Sequence, residues 1–154
     1  MTAAVRALRE AAVPFTEHPY AYLEHGGTAA FAAQSGIEER AVIKTLVMED
    51  ETKKPLVVLM HGDREVSTKE LARLLGVKKI QPCSEQTAER HSGYQVGGTS
   101  PFGLRKPLPI YIEATILDLP KIYINGGKRG FLVGLDPKEL ARVLGPTPVR
   151  VGIV

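Results

Sequence analysis

The sequence contains one cysteine and no tryptophan among its 154 residues. The single cysteine, Cys83, excludes a disulfide within the chain and any zinc site built from several thiolates. Such cysteine use is typical of a reducing compartment, and we expect the protein to be cytoplasmic. No apolar run approaches the roughly 20 residues that a membrane-spanning helix needs. Residues 1–12 carry Arg6, Arg9 and Glu10 and predict an amphipathic helix rather than a signal peptide, so we expect no membrane partner.

The sequence also lacks a strong excess of one charge. It has 20 Lys and Arg against 17 Asp and Glu, a formal net charge of +3. Nucleic-acid binding would therefore use a local basic surface rather than a polycationic tail. The length and the 44% of hydrophobic residues fit one domain spanning residues 1–154. The four histidines show no metal-ligand spacing, so we predict solvated loop residues, no metal site and no cofactor; they are His18, His25, His61 and His91.

Hydrophobic periodicity and capping residues predict a mixture of helices and strands. The predicted helices lie at residues 1–12, 29–34, 67–76, 84–91 and 137–144, and the predicted strands at 13–20, 41–48, 56–60, 109–113, 121–125, 131–133 and 149–154. The elements follow no regular strand–helix alternation and contain no repeat. We therefore predict an α+β domain with a mixed, curved, barrel-like β-sheet surrounded by helices.

Local chemistry gives three more detailed predictions. Thr28 is the candidate cap of the second helix. Ser67 and Glu70 fit a capping box, in which the Glu70 side chain reaches back to the cap. Glu49 to Glu51 predict a solvated turn between two core strands that pair as an antiparallel hairpin.

Lys44 interrupts a strand that is otherwise apolar. Burying an ammonium group is unfavourable unless it pairs with a carboxylate or binds an anion. An edge position, from which the aliphatic stem reaches water, is the alternative. Thr45 points to the opposite face if the strand is regular.

Two glycine-rich segments each carry a pair of basic residues. Residues 93–106, the glycine loop, contain four glycines and end in Arg105-Lys106, and residues 126–130 contain Lys128-Arg129. Glycine lets main-chain N–H groups approach a phosphate or an oxyanion, and Arg and Lys both contact phosphate. Tight hairpins alone would also require such glycines. The two segments together favour a ligand that carries phosphate.

No side chain has the local signature of a nucleophile. Ser100 lacks a nucleophile-elbow context. Cys83 follows Pro82 without a recognisable motif and predicts a partly buried structural thiol. The residues alone therefore name no reaction.

Taken together, these residues resemble the YbaK/EbsC family of aminoacyl-tRNA deacylases, which includes free-standing Cys-tRNA(Pro) deacylases and the editing domain inserted in bacterial prolyl-tRNA synthetases. The resemblance covers nearly the whole chain. It rests on three ordered segments, residues 44–47, 93–103 and 122–130. Three motifs in this order are far more specific than any one of them.

The resemblance implies a pocket that receives the 3′ aminoacyl-adenosine of a mischarged tRNA and cleaves its ester, with prolyl-tRNA synthetase as a possible further partner. Lys44 matches the family's essential lysine, and Gly98 is the second catalytic candidate. The implied substrate-binding residues are Tyr20, Thr45, Gly97, Thr99, Ser100, Pro101, Asn125, Gly126 and Gly127, and the implied tRNA phosphate contacts are Arg105, Lys106, Lys128 and Arg129. In relatives that act on Cys-tRNA, the substrate's own thiol is the implied attacking group, so no protein nucleophile is needed.

Three positions depart from the free-standing Cys-tRNA deacylases. Gly27 stands where those proteins carry an aromatic residue, Asn125 where they carry a serine, and Leu132 where an acid is usual. These changes concern the wall that senses the amino acid. Removal of alanine or serine therefore remains open, as does a non-catalytic module that binds aminoacyl ends or a synthetase.

Overall fold

Strands outnumber helices in the structure, a computed structural model that describes residues 1–154. The five α-helices are α1 (Ala3–Glu10), α2 (Gly27–Ser35), α3 (Thr68–Leu75), α4 (Glu85–Ser92) and α5 (Pro137–Leu144). The ten strands are β1 (Thr16–Pro19), β2 (Val42–Asp50), β3 (Pro55–His61), β4 (Glu65–Val66), β5 (Ile80–Pro82), β6 (Ile110–Glu113), β7 (Ile122–Lys128), β8 (Phe131–Leu135), β9 (Thr147–Val149) and β10 (Gly152–Ile153), and short 3-10 helices lie at Glu39–Ala41 and Ala114–Asp118. No helix exceeds nine residues, and none has the length and apolar character needed to cross a bilayer.

Eight strands form one mixed sheet in the order β1-β8-β7-β2-β3-β6-β9, with β5 paired to β2, while β4 and β10 form a separate ribbon. The predicted α+β class and the mixed sheet are confirmed. The sheet is not closed into a barrel, because the edge strands β1 and β9 do not pair. Both edges are short and contain a proline, Pro19 and Pro148, which has no N–H to extend a ladder.

Strand β2 has a gap along one side. There β7 pairs only with Val42 and Ile43, and β5 pairs only from Met48 onward. The N–H of Cys83 donates to the carbonyl of Val47 at 3.1 Å. The main-chain groups of Val47 therefore face the side of β2 on which the gap lies. Because alternate residues of a strand bond to opposite neighbours, the N–H and C=O of Thr45 face the gap without a strand partner.

Hydrophobic residues bury both faces of the sheet. One cluster packs α1 and α5 against the sheet through Leu8 and Leu140, which are both 0% exposed. A second packs α3 through Leu71, and a small third packs α2 through Phe31 beside Leu132. The helices therefore fix β2 in the middle of the molecule, where its gap becomes a site.

Most predicted elements are present near their expected bounds, including the antiparallel β2–β3 hairpin. The C-terminal prediction is wrong in detail, because residues 147–153 form two short strands that pair with different partners, β6 and β4. The main chain therefore changes neighbours between Val149 and Gly152.

Two capping predictions require correction. Helix α2 begins at Gly27 with Gly26 as its cap, and the Thr28 hydroxyl instead donates to the Glu39 carboxylate at 2.7 Å. Ser67 does cap α3 by accepting from the N–H of Glu70. The Glu70 carboxylate pairs with Arg73 rather than reaching back to the cap.

The predicted solvated turn at Glu49 to Glu51 is wrong for its first two residues, which belong to β2 and are buried. Glu49 accepts hydrogen bonds from Lys53 at 2.9 Å and Gln81 at 3.0 Å. These hydrogen bonds lower the pKa of the Glu49 carboxyl and satisfy its charge. The carboxylate thereby ties β5 to the end of β2.

Candidate functional site

A pocket of about 720 Å³ opens at the gap beside β2. Its walls come from β2, the β1–α2 connection, β4, the start of α4, the glycine loop and the β7–β8 turn. The predicted site residues that line it are Lys44, Tyr20, Thr45, Gly97, Thr99, Asn125 and Arg129. The pocket therefore brings together residues from all three segments that carry the resemblance.

Lys44 has the protein partners that its position in a core strand predicts. Its ammonium donates to the carbonyl of Arg64 and lies 3.5 Å from the Glu65 carboxylate. The Lys44 side chain is 19% exposed, whereas that of Glu65 is 74% exposed, so solvent weakens this ion pair. An ammonium group has three N–H donors, and these two acceptors leave one for the pocket.

Thr45 carries the one buried side-chain polar atom in the structure that has no hydrogen-bond partner, its Oγ1. A buried hydroxyl without a partner is costly, and such groups in native proteins call for an explanation. Thr45 and Lys44 point to opposite faces of β2 as predicted, yet both line the pocket because the pocket surrounds the open edge of the strand.

Asn125 and Arg129 hold the glycine loop against the β7–β8 turn. The Asn125 side chain donates to the Gly97 carbonyl at 3.1 Å and accepts from the N–H of Gly127 at 2.7 Å. The Arg129 Nε donates to the carbonyl of Val96 at 2.9 Å. The two glycine-rich segments therefore form one connected wall.

Gly98 does not line the pocket, which corrects the expectation of a donor there. Its N–H donates to the carbonyl of Gln95 at 2.8 Å. A Cβ atom at this position would lie 2.8 Å from main-chain atoms of Lys128 and Arg129, so glycine is needed for close approach of the two segments. Thr99, which lines the pocket, has an N–H with no acceptor in the protein.

Four other predicted substrate-binding residues do not line the pocket: Ser100, Pro101, Gly126 and Gly127. The Ser100 hydroxyl accepts from the N–H of Phe102 within the buried loop. Gly127 has a φ of 105°, which favours glycine, and a Cβ at Gly126 would clash with the Phe131 ring. The geometry of the β7–β8 turn therefore requires glycine at both positions.

The basic residues divide into two locations. Arg129 lines the pocket, with its guanidinium 5.0 Å from the centre of the Tyr22 ring, and Lys128 lies exposed beside it. Arg105 and Lys106 lie outside the pocket, and Lys106 donates to Nδ1 of His91 at 2.9 Å. Burial and the nearby Lys106 lower the pKa of His91, which accepts this bond as a neutral ring.

The prediction of four solvated histidines is wrong for two of them. His61 is 4% exposed and His91 is 9% exposed. Both His61 ring nitrogens are within hydrogen-bond distance of partners, the Arg40 carbonyl at 2.8 Å and the Thr115 hydroxyl at 2.7 Å. His61 is therefore a core residue with a partner for each ring nitrogen. Its position at the end of the apolar strand β3 was the sequence signal for this burial.

Sequence reasoning did not assign several side chains in the pocket to the site, among them Tyr22, Phe31 and Glu65. Phe31 packs edge-on against Tyr20, whose pKa is raised by burial and then by Tyr22, so this phenol stays protonated as a donor. The departures Gly27 and Leu132 also line the pocket. No local sequence signal marks Glu65, because its place depends on pairing with the distant C-terminus.

Cys83 lines the pocket and is partly buried, as predicted. Burial and a hydrogen bond from its Sγ to Glu49 raise the thiol pKa to about 12. A thiol is nucleophilic only as the thiolate, so Cys83 is unreactive at neutral pH.

We expect iodoacetamide to alkylate Cys83 at pH 7.5 at least about a hundredfold more slowly in the folded protein than in the same chain unfolded in urea. The measurement is the rate of mass increase, with the unfolded chain as its own control. Equal rates would contradict the raised pKa and would restore Cys83 as a candidate nucleophile.

Comparison with known proteins relates the chain to enzymes of tRNA charging. A family profile described as an aminoacyl-tRNA editing domain matches residues 26–143. EbsC of Enterococcus faecalis, provisionally named a Cys-tRNA(Pro)/Cys-tRNA(Cys) deacylase, is 33% identical over 140 residues, which cover 90% of this chain and 85% of EbsC. The matched ranges include most of the pocket.

Two further comparisons concern proteins of different size. A proline–tRNA ligase of Brachyspira hyodysenteriae is 29% identical over 86 residues, which are 56% of this chain and 15% of that ligase. The crystal structure of a protein provisionally described as a trans-editing enzyme for prolyl tRNA synthetase matches with a TM-score of 0.84 at 23% identity, covering 100% of this chain and 99% of the other. The second match shows a shared fold.

Proposed function

Because the chain belongs to the aminoacyl-tRNA editing domain family, we propose that it is a trans-editing deacylase that cleaves the ester of misacylated tRNA, with Cys-tRNA(Pro) as its substrate. The observation that carries this proposal is the open edge of β2, where Lys44 and Thr45 meet the glycine loop in one pocket. The provisional name of EbsC supports cysteine as the amino acid removed.

The pocket supplies donors for an oxyanion that forms at the ester carbonyl. The N–H groups of Thr45 and Thr99 have no acceptor in the protein, and the third N–H of Lys44 adds positive potential beside them. Donors held in place before the reaction lower its barrier, and losing one typically costs about 10²- to 10³-fold in rate. We assign this stabilising role to Lys44 and the two amides.

The attacking group in this proposal belongs to the substrate. The cysteinyl sulfur attacks its own ester carbonyl, a C–S bond forms and the C–O bond to the ribose breaks. The thiol proton ends on the ribose hydroxyl of the released tRNA, and the amino acid leaves as a cyclic thiolactone. The protonated state of Cys83 supports this assignment, since that protein thiol does not compete as a nucleophile.

We assign Arg129 and Lys128 to the phosphates of the tRNA end, because they lie at and beside the pocket on the β7–β8 turn. Contacts of this kind give affinity that falls with salt and does not select sequence. Arg105 and Lys106 lie outside the pocket and would contact only a more distant part of the tRNA. Selection of the tRNA then requires a partner, for which prolyl-tRNA synthetase is our candidate.

The direct test incubates catalytic amounts of the protein with tRNA(Pro) charged with cysteine, alanine, serine or proline. We expect release of cysteine and retention of proline. Faster release of alanine or serine would contradict the cysteine assignment, and equal rates for cysteine and serine would contradict attack by the substrate thiol. Release of no amino acid would favour a non-catalytic module that binds aminoacyl ends.

Replacing Thr45 with valine separates function from stability. As a predicted substrate-binding residue, Thr45 would use its hydroxyl, which has no partner in the protein, to bind the substrate. Valine keeps the shape and removes the hydroxyl, so we expect kcat/KM for Cys-tRNA(Pro) to fall about tenfold, while Thr45→Ser stays within about threefold. The melting temperature of Thr45→Val should not fall, because the lost Oγ1 has no partner in the free protein. Equal activity in the valine and serine variants, at any level, would contradict a role for the hydroxyl.

A further inference from the structure

The acceptors that hold the Lys44 ammonium belong to a part of the fold that is separate from the main sheet. Arg64 and Glu65 lie at β4, a strand of two residues. Its ladder partner is β10, through the pairs Val66 with Gly152 and Glu65 with Ile153. A ribbon of two such short strands is not stable by itself, so other contacts must fix it.

Glu113 supplies those contacts from β6 in the main sheet. It is 8% exposed, and its two carboxylate oxygens accept from the N–H groups of Val151 at 2.8 Å and Gly152 at 2.9 Å. Hydrogen bonds to an ionised acceptor are stronger than neutral ones, and two of them fix the direction of the main chain. Residues 151–153, which we name the C-terminal brace, are thus tied to the main sheet.

The C-terminal brace is also tied to the segment beside Lys44. The N–H of Ser67, the residue after β4, donates to the carbonyl of Val151 at 2.8 Å. The Val151 side chain is 2% exposed and packs in the same cluster as Leu71 of α3. A continuous set of contacts therefore runs from Glu113 through the C-terminal brace to β4 and the Lys44 ammonium.

We propose that Glu113 is a positioning residue for Lys44: through the C-terminal brace it fixes the Arg64 carbonyl and Glu65, and so sets where the ammonium points in the pocket. Glu113 itself does not line the pocket. The inference rests on the proposed function for the role of the ammonium, but the geometry it predicts can be measured without turnover.

The test compares Glu113→Gln with Asp136→Ala. The glutamine retains one acceptor oxygen and turns an NH₂ group toward a main-chain N–H, which breaks the double contact. Asp136 caps α5 and makes no hydrogen bond to the C-terminal brace, so its replacement controls for lost stability. We expect Glu113→Gln to lower kcat about tenfold at unchanged KM, and Asp136→Ala to keep the wild-type kcat at a similar loss of melting temperature.

A second readout does not depend on activity. In protein labelled with ¹⁵N-lysine, the Nζ resonance of Lys44 is assigned by its absence in Lys44→Arg. We expect this resonance to shift in Glu113→Gln and to stay in place in Asp136→Ala. Absence of turnover in all proteins together with this shift would reject the proposed function and retain the positioning of Lys44.

Two results would overturn the proposal. The first is a wild-type kcat together with an unchanged Lys44 resonance in Glu113→Gln. The second is an equal loss of kcat in Glu113→Gln and Asp136→Ala, because lost stability alone would then explain the effect. If Glu113→Gln does not fold, Gly152→Ala replaces it, because a Cβ there would lie 2.5 Å from the Glu113 carboxylate. Combined with Lys44→Ala, Glu113→Gln should cause less than about a twofold further loss, because the two changes act through one ammonium.

Discussion

Replacing Lys44 with alanine is expected to lower the rate of cysteine release from Cys-tRNA(Pro) about a hundredfold or more. The ammonium has one N–H left for the pocket after its bonds to the Arg64 carbonyl and Glu65. Alanine removes this donor together with the positive potential at the open edge of β2. The measurement is single-turnover deacylation with enzyme in excess, which records residual rates without an effect of product release.

Two variants control this experiment. Lys54→Ala removes an exposed lysine from the β2–β3 turn and should keep the wild-type rate. Lys44→Arg keeps the charge but replaces a compact ammonium with a planar guanidinium, so we expect an intermediate rate. The stability of Lys44→Ala should change little, since a pair with the exposed Glu65 is worth about 0–1 kcal/mol. A wild-type rate in Lys44→Ala would refute the catalytic role.

The chemistry of Lys44 could be predicted from sequence, whereas its partners could not. A lysine within an apolar strand requires an acceptor, and that requirement is visible in the residues around it. The acceptors come from Glu65 of β4 and from Arg64 just before it. Strand β4 has only two residues, which show no periodicity and pair with β10 almost at the end of the chain. Long-range pairing of such short strands leaves no local signal.

The pocket itself depends on register rather than on residue type. It exists because β7 leaves β2 after Ile43 and β5 joins it only at Met48. Strand β7 was predicted from the sequence, whereas no strand was predicted at residues 80–82, where β5 lies. The points at which the two strands meet β2 were not predictable. Thr45 is therefore a half-buried residue whose Oγ1 and main-chain groups have no partner, for a reason that lies outside its own segment.

For the glycine-rich segments, too, the need for glycine could be predicted from sequence, whereas what each glycine faces could not. Glycine content indicated close approach of main chains at both turns, and the structure has that approach. The sequence does not say whether a glycine faces a ligand or another loop. Gly97 lines the pocket, whereas its neighbour Gly98 packs against the main chain of Lys128 and Arg129.

Gly98→Ala is expected to lower the deacylation rate about tenfold to a hundredfold, because its Cβ would lie 2.8 Å from the main-chain carbonyl carbon of Lys128. The atoms that this Cβ would meet belong to the main chain of Lys128 and Arg129 and not to the flexible end of a side chain, so the glycine loop must move away from the β7–β8 turn. That movement would stretch the bonds from Asn125 to Gly97 and from Arg129 to Val96, and would displace the Thr99 amide. Gly98→Val should lose more activity than Gly98→Ala.

Gly76→Ala is the matched control for this experiment. Gly76 ends α3 at a φ of 70°, and its Cβ would meet no atom within 4 Å, so alanine there costs about 1 kcal/mol of backbone strain without touching the pocket. We therefore expect the control to lose stability and keep activity, and Gly98→Ala to lose activity out of proportion to its melting temperature. Full activity in Gly98→Ala would mean that the contact between the two segments does not hold the amides in place, and Lys44 and Thr45 would then have to carry the reaction without the glycine loop.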